Sequence, residues 1–225
     1  MNRLNTIILL LSGLIVSLCH GQNFVFAHGI ENTSDQGGRA VATDPLTRAV
    51  VVTGYHYGTM DFDPSAGVST RASAGGADVF IAKYDSAGNL LWATDFGGSL
   101  NEYPSDVGLS LYGDIYVCGS FNGTVDFDPG AASVQRTSRG GTDAFLVKFD
   151  GNGVFQWVVT FGGASTTNAL DGADGLVVGL NEVYLVGSFE GSFIDVNPNG
   201  TPYYQHSSGD QNMFLIKYTA YGDHI

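Results

Sequence analysis

The sequence predicts an all-β fold, namely a β-propeller-like array of about three four-stranded antiparallel blades that is incomplete. An internal repeat is the main reason: Phe80, Phe145 and Phe214 lie 65 and then 69 residues apart, and each begins a Phe-x-x-Lys-aromatic segment. Between these landmarks, short apolar runs alternate with turns rich in Gly, Asn and Asp, which is typical of strands. The 32 glycines also disfavour long helices.

Residues 1–21 are predicted to be a secretory signal peptide and do not enter the fold. Arg3 precedes the apolar run Ile7–Leu18, and Cys19-His20-Gly21 follows as the cleavage region. A membrane anchor is the alternative, but a spanning helix needs roughly 20 apolar residues, more than this run provides. We therefore expect no transmembrane anchor and a secreted or cell-surface location.

Cysteine content and charge restrict the stabilising forces and the partners. Without residues 1–21, Cys118 is the single cysteine, so no intrachain disulfide is expected. The formal net charge is -13, and the acidic residues are mostly aspartates, which favour turns. So acidic a chain argues against nucleic acid, which requires basic surfaces, and permits calcium, a cationic partner or simple solubility.

The second repeat unit, residues 105–163, shows the predicted blade most clearly. Its four predicted strands are Val107–Leu111, Ile115–Cys118, Ala144–Phe149 and Val154–Phe161. Tight turns separate the first pair and the last pair, and a longer segment, residues 121–141, lies between the second and third strands. Four-stranded units repeated in series are typical of propeller blades.

The first unit, residues 39–100, and the third unit, residues 173–225, follow the same order. Their predicted strands are Ala40–Thr43, Val50–Thr53, Val79–Tyr84 and Leu90–Phe96, then Gly175–Val178, Val183–Val186 and Met213–Tyr218. The third unit lacks a fourth strand, whereas residues 22–32 resemble one. Because propellers typically have four to eight blades, we expect a fragment of a longer protein or several chains that close one ring. Self-association through the open blade edges is therefore expected.

Several motifs carry a family resemblance. Residues 140–150 read Gly-Gly-Thr-Asp-Ala-Phe-Leu-Val-Lys-Phe-Asp, and Phe155-Gln156-Trp157 and Phe161-Gly162-Gly163 follow. In these motifs, and in Tyr-Val-x-Gly-like strands such as Tyr116-Val117-Cys118-Gly119, the chain resembles the secreted bacterial SBBP repeat, a family named for a seven-bladed β-propeller. The resemblance covers nearly all of residues 22–225. It implies an exported or surface propeller and brings no catalytic residues with it.

The Asp-x-Asp-Pro motifs are the candidate metal sites. In an extended segment, residues i and i+2 share a face, so each motif can present two oxygen ligands. The pairs are Asp61 with Asp63, Asp126 with Asp128, and Asp195 with Asn197. Calcium takes six to eight oxygens, so these pairs need further ligands. The alternative is that each motif caps a turn; calcium is the one cofactor that the sequence suggests.

The repeated lysines Lys83, Lys148 and Lys217 alternate with the aromatic positions and should lie on the opposite strand face. We expect each ammonium group to pair with a carboxylate such as Asp78 or Asp143. A ring of cations that binds an anion is the alternative. Trp92 and Trp157 are expected to be largely buried at equivalent positions, because each follows a hairpin and precedes Phe-Gly-Gly.

The predicted function is an exported binding or structural surface module with an unknown protein or glycan partner. The histidines do not recur in the repeat and lie in no metal-ligand or nucleophile motif, so no catalytic residue is assigned. A secreted hydrolase or lyase that uses the propeller as a scaffold is one alternative function. A calcium-stabilised structural array is another.

Overall fold

The computed structural model describes residues 27, 29–30, 34–163, 171–191, 193–206 and 211–225. These residues form fifteen strands and no helix, so the predicted all-β class is confirmed. The strands build antiparallel sheets, none of which closes on itself. Within the described ranges, no helix has the length and apolarity needed to cross a membrane.

The first blade has four main antiparallel strands, and its last strand also pairs with the second blade through Gly97 and Gly98, so that the two blades share one eight-stranded sheet. It contains β1 (Gln36–Thr43) and β2 (Val50–His56), then the small hairpin β3 (Thr59–Asp61) and β4 (Thr70–Ala72), and finally β5 (Asp78–Tyr84) and β6 (Leu90–Gly98). The spatial order is β1-β2-β5-β6, so consecutive main strands are neighbours and the hairpin stands apart from them. This is the order expected of a propeller blade.

The second blade repeats that order with longer central strands. Its elements are β7 (Glu102–Leu109), β8 (Ile115–Asp126), β9 (Gln135–Phe149) and β10 (Phe155–Phe161). The segment predicted as a long excursion, residues 121–141, is here an extension of β8 and β9, which remain paired as far as Asp126 and Gln135. A register shift between Asn122 and Thr124, where Gly123 has a φ of 72°, lets the paired strands bend away from the blade.

The third blade has three paired main strands. Its elements are β11 (Gly172–Val178), β12 (Glu182–Glu190), the hairpin β13 (Phe193–Asp195) and β14 (Tyr204–His206), and β15 (Gln211–Thr219), in the sheet order β11-β12-β15. On the side of β15 that does not pair with β12, Tyr218 and His224 form an isolated antiparallel β-bridge. The Ile225 amide also donates a hydrogen bond to the Lys217 carbonyl (3.0 Å).

Two predictions concern the beginning of the chain. The predicted signal peptide, residues 1–21, lies outside the described residues. Most of the predicted extra strand, residues 22–32, lies outside them as well, and Ala27, Gly29 and Ile30 are described without strand structure. Ile30 packs against a buried cluster of the first blade that includes Phe62 and Phe80.

The core consists of layers between consecutive blades, because alternate residues of each central strand face opposite neighbours. Val79 and Ile81 share a buried cluster with Phe145 and Phe149 of the second blade. On the other face of the second blade, apolar residues share a cluster with the third blade; this set includes Tyr116, Leu146, Leu185, Phe214 and Ile216. The repeated phenylalanines Phe80, Phe145 and Phe214 are all buried, as expected of core residues.

Candidate functional site

In each blade, side chains at the same six repeat positions lie on one face of the sheet, which we call the forward face. In the first two blades, this face contacts the next blade along the chain. Antiparallel pairing sets the positions side by side: Thr53 opposes Ile81 in the first blade, and Val186 opposes Leu215 in the third. The forward faces are Ala42, Val51, Thr53, Val79, Ile81 and Lys83; Gly108, Tyr116, Cys118, Ala144, Leu146 and Lys148; and Val177, Tyr184, Val186, Met213, Leu215 and Lys217.

Burial separates the third forward face from the other two. Ile81 and Leu146 are fully buried, whereas Leu215, at the same position of the third blade, is 70% exposed. The other apolar members are exposed too: Met213 at 73%, Val177 at 67%, and Tyr184 and Val186 at 38% each. We call Val177, Tyr184, Val186, Met213 and Leu215 the open face. An apolar surface of this kind on a folded chain usually marks an interaction site.

Two cavities border the open face. One, of about 240 Å³, lies between Asp106, Leu176, Tyr184, Val186 and Leu215. The other, of about 450 Å³, follows the free side of β15, where Lys217, Tyr203 and His224 contribute to its wall. Tyr184 and Leu215 line both cavities, so the two depressions adjoin at these side chains.

The contact between the first and second blades, the first seam, is closed by a lysine and a tryptophan. Lys83 Nζ donates to the Gly151 carbonyl (3.1 Å) and lies 3.5 Å from the Asp44 carboxylate. Trp92 Nε1 donates to the same Gly151 carbonyl (3.3 Å). One carbonyl in the turn between β9 and β10 therefore receives both side chains.

The contact between the second and third blades, the second seam, repeats this arrangement. Lys148 Nζ donates to the Ala220 carbonyl (3.2 Å) and to Asp114 Oδ2 (2.7 Å), and Trp157 Nε1 donates to the same Ala220 carbonyl (3.2 Å). Burial by itself lowers the pKa of Lys148, but the hydrogen bonds and charges of Asp114 and Tyr116 together outweigh it, so the pKa is raised. The lysine is therefore held as a cation at the seam.

A left-handed glycine lies under each tryptophan. Gly153 and Gly222 have φ values of 81° and 87°, and a Cβ at either position would lie 3.0 Å from Trp92 or Trp157. Positive φ and close contact with the indole both favour glycine here. The tryptophans occupy equivalent positions, as predicted, but they are half-buried between two blades and not fully enclosed.

The predicted lysine partners were wrong. Asp78 and Asp143 do not meet the repeated ammonium groups; instead Asp78 Oδ2 accepts from the Ala74 amide (2.9 Å) and Asp143 Oδ1 from the Arg139 amide (3.1 Å). The reason is geometric: Asp78 begins β5 and Lys83 lies five residues along it, so they point to opposite faces and are separated by most of the strand.

A pair of buried carboxyl groups lies at each seam. In the first pair, burial raises the pKa of Glu102 to about 8 and that of Asp78 to about 6, with further contributions from neighbouring carboxylates. In the second pair, burial raises the pKa of Asp143 to about 6 and also raises that of Asp171. Asp78 Oδ1 and Glu102 Oε1 have no hydrogen-bond partner within the described residues.

The Asp-x-Asp-Pro motifs form the same turn three times. The first aspartate of each accepts two backbone hydrogen bonds through Oδ1: Asp61 from Asp63 and Ser69, Asp126 from Asp128 and Val134, and Asp195 from Asn197 and Tyr203. Such contacts are those of turn-capping side chains. No group of three or more His, Cys, Asp or Glu side chains suited to a metal occurs in the described part of the chain. The calcium site stays a prediction.

The chain is similar to parts of two longer proteins. No family model matches the chain. A stretch of 125 residues, 56% of this chain, is 31% identical to the regulatory protein FlaEY of Caulobacter vibrioides but covers 13% of that protein. An uncharacterized WD repeat-containing protein of Acanthamoeba polyphaga mimivirus is 23% identical over 88% of this chain and 16% of its own length. The chain thus spans less than a fifth of either relative.

The similarity to a WD repeat protein agrees with the blades described above, because WD repeats form four-stranded propeller blades. The order of the main strands within the first and second blades is that of such repeats. The chain is a β-propeller-type repeat array, a class of fold that provides binding or structural modules.

Proposed function

We propose that this chain is an exported propeller module, similar to the SBBP repeat, that acts as a binding or structural surface. The open face of the third blade carries the proposal. Leu215 and Met213 are 70% and 73% exposed at positions that the other blades bury completely or nearly so. Leaving such apolar area in water is unfavourable by roughly 25 cal/mol for each Å², so a partner that covers it gains binding free energy.

The fate of the repeated polar residues supports the same function. The seam lysines and tryptophans bind turn carbonyls of the next blade, and the Asp-x-Asp-Pro carboxylates cap turns. These residues hold the array together. A hydrolase or lyase needs its tuned acids and bases in an accessible depression. The carboxyl groups of Glu102 and Asp78, whose pKa values are raised, are instead buried and do not line the two cavities beside the open face.

Export can be tested by expressing the complete chain in a Gram-negative host. We expect the product outside the cytoplasm with Gln22 as its first residue, because the apolar run Ile7–Leu18 has the form of a signal peptide. Removal of residues 1–21 should leave the protein in the cytoplasm. An uncleaved chain that stays in the cytoplasm would contradict the export part of the proposal.

The binding or structural role can be tested against the enzyme alternative by incubating the purified chain with ester, glycoside and polysaccharide substrates. We expect no turnover above that of the heat-unfolded chain. A reaction that is lost when one Asp or His is substituted, while the fold is retained, would replace the proposed role with a catalytic one.

A further inference from the structure

The open face has two counterparts in the same molecule, and both are covered by another blade. The forward face of the first blade is buried with Phe145, Val147 and Phe149 of the second blade. The forward face of the second blade is buried with Phe214, Ile216 and Tyr218 of the third. In both cases the covering surface is the opposite, aromatic face of a Phe-x-x-Lys-aromatic strand. The surface chemistry that fits a forward face is therefore that of this chain's own blades.

The third blade already holds its lysine in the arrangement used at a seam. Lys217 Nζ lies 5.5 Å from the centre of the Tyr184 ring, and Lys148 Nζ lies 5.4 Å from that of Tyr116. Glu182 begins β12 at the position that Asp114 occupies just before β8. Lys217 is thus held over its tyrosine as Lys148 is, but within the described residues no turn carbonyl receives its ammonium group.

The first blade provides a receiving turn of the required form. Its segment from Asp85 to Asn89 corresponds to the turns that receive Lys83 and Lys148, and Ser86 matches Gly151 and Ala220 in position. Gly88 has a φ of 87°, the left-handed conformation of the glycines beneath the seam tryptophans. Ser86 is exposed, and no lysine donates to its carbonyl within the described residues.

The surroundings of that turn resemble those of the receiving turns at the two seams. A cavity of about 180 Å³ lies between Gly88, Leu90 and Pro64, beside the glycine position that a tryptophan covers in the other blades. Phe80 and Tyr84, on the aromatic face of the first blade, are already buried within the chain, and Ile30 packs against their cluster. The part of this blade that is exposed for a partner is therefore the turn at Ser86.

We infer that the open face binds the first blade of a second copy of this chain, head to tail, with Lys217 donating to the Ser86 carbonyl of that copy. The inference rests on the proposed function, since it names the partner of the proposed binding surface. One chain carries both halves of a seam, a lysine-bearing apolar face and a receiving turn, on different blades. Contacts between unlike surfaces give closed rings or open filaments.

Sedimentation velocity on the purified chain over a range of concentrations tests the inference. We expect concentration-dependent association that Leu215→Glu weakens at least tenfold, because a carboxylate would then be buried in the contact. Leu215 is 70% exposed, so its replacement should leave the monomer folded. Val154→Glu is the matched control: Val154 is 57% exposed, lies in the second blade away from the contact, and should leave association unchanged.

A second pair of measurements tests the direction of the contact. Ser86→Lys places a like charge beside Lys217 of the other copy and should also weaken association, although residue 86 is on a different blade from the open face. Mixing Ser86→Lys with Leu215→Glu should restore a two-chain complex, since each variant retains the surface that the other lacks. Ser86→Lys that associates as strongly as the original chain would overturn the head-to-tail arrangement, and a chain that is monomeric at its highest soluble concentration would overturn the whole inference. Export and the absence of turnover are measured separately, so the proposed function can stand if the inference falls.

Discussion

The second seam and the open face of the third blade are built from the same repeat positions but differ in surroundings. Leu146 and Leu215 both lie two residues before the repeated lysine, yet the first is fully buried and the second is 70% exposed. Their strands pair alike: Cys118 opposes Leu146, and Val186 opposes Leu215. The difference shows that a residue's contribution to stability depends on the neighbouring blade as much as on its own repeat unit.

The largest contrast is expected between the two leucines. Leu146→Ala should lower the free energy of unfolding by about 2–5 kcal/mol, because it removes buried methyl groups and leaves a cavity. Leu215→Ala should change it by no more than about 0.5 kcal/mol in the monomer, as is usual for an exposed position. Urea unfolding at low protein concentration measures both values. Equal losses would show that the open face is already covered in the monomer.

The seam tryptophans should give the next largest effect. Trp157 is half-buried and donates to Ala220, so Trp157→Ala should cost about 2–3 kcal/mol, less than the 3–5 kcal/mol typical of a fully buried aromatic residue. Trp157→Phe keeps an aromatic ring but loses the hydrogen bond to Ala220, so it should cost about 1 kcal/mol relative to the original chain. A denaturation midpoint unaffected by Trp157→Ala, with an unchanged m-value, would contradict the role of the indole in the seam.

The lysines provide a contrast of intermediate size. Lys148→Met removes the charged hydrogen bonds to Asp114 and Ala220 but keeps the aliphatic stem, and should cost about 1–2 kcal/mol. Lys217→Met should change the free energy of unfolding of the monomer little, because no turn carbonyl receives that ammonium group among the residues that the structure describes. Thermal unfolding of the two variants measures the difference. If both lose the same stability, the contacts at the turn carbonyl contribute little.

The buried carboxyl groups make the first seam sensitive to pH. Folding raises the pKa of Glu102 to about 8 and that of Asp78 to about 6, above the values near 4 of carboxyl groups in an unfolded chain. The folded state therefore binds more protons than the unfolded state between about pH 4 and 8, and its stability should fall as the pH rises through this window. Glu102→Gln should flatten the decline, as measured by urea midpoints at several pH values. A midpoint that rises with pH throughout this window would contradict the assignment.

The smallest effect is expected from calcium. The first carboxylate of each Asp-x-Asp-Pro motif already accepts two backbone hydrogen bonds, so we expect the same melting temperature in millimolar calcium and in chelator. A higher melting temperature in calcium, lost in the double variant Asp126→Asn with Asp128→Asn, would show that these turns bind the metal and help to hold the array together.

The blades could be predicted from the sequence because their signals are local. The spacing of Phe80, Phe145 and Phe214 indicates a repeat, and turns such as Asp150-Gly151-Asn152-Gly153 separate adjacent strands. The hairpins at residues 59–72 and 193–206 were harder to identify, because their strands are only three residues long. The extension of β8 and β9 escaped prediction for a related reason, since Thr and Gly there do not form an apolar run.

Contacts between blades could not be read from the sequence in the same way. The partners of Lys83 are Asp44 and Gly151, which are 39 and 68 residues away from it, whereas the expected partner Asp78 is close in sequence but lies on the other strand face. The burial of Glu102 likewise depends on the fold, because an isolated acid after a Gly-Gly turn has no recognisable pattern. The sequence predicted only an open blade edge at this end of the array. The exposed side chains of the open face could be identified only from the structure.

Cys118 gives the second seam an internal chemical reporter. Its side chain is fully buried on the forward face of the second blade, with Sγ 3.9 Å from the Ala173 carbonyl of the third, and burial raises the pKa of the thiol. Only a deprotonated, accessible thiol reacts quickly with an alkylating reagent, so modification requires the blades to separate. The rate at which iodoacetamide labels this cysteine, relative to an exposed thiol, thus reports the equilibrium between the closed and open forms of a single seam, without denaturant and without introducing a probe.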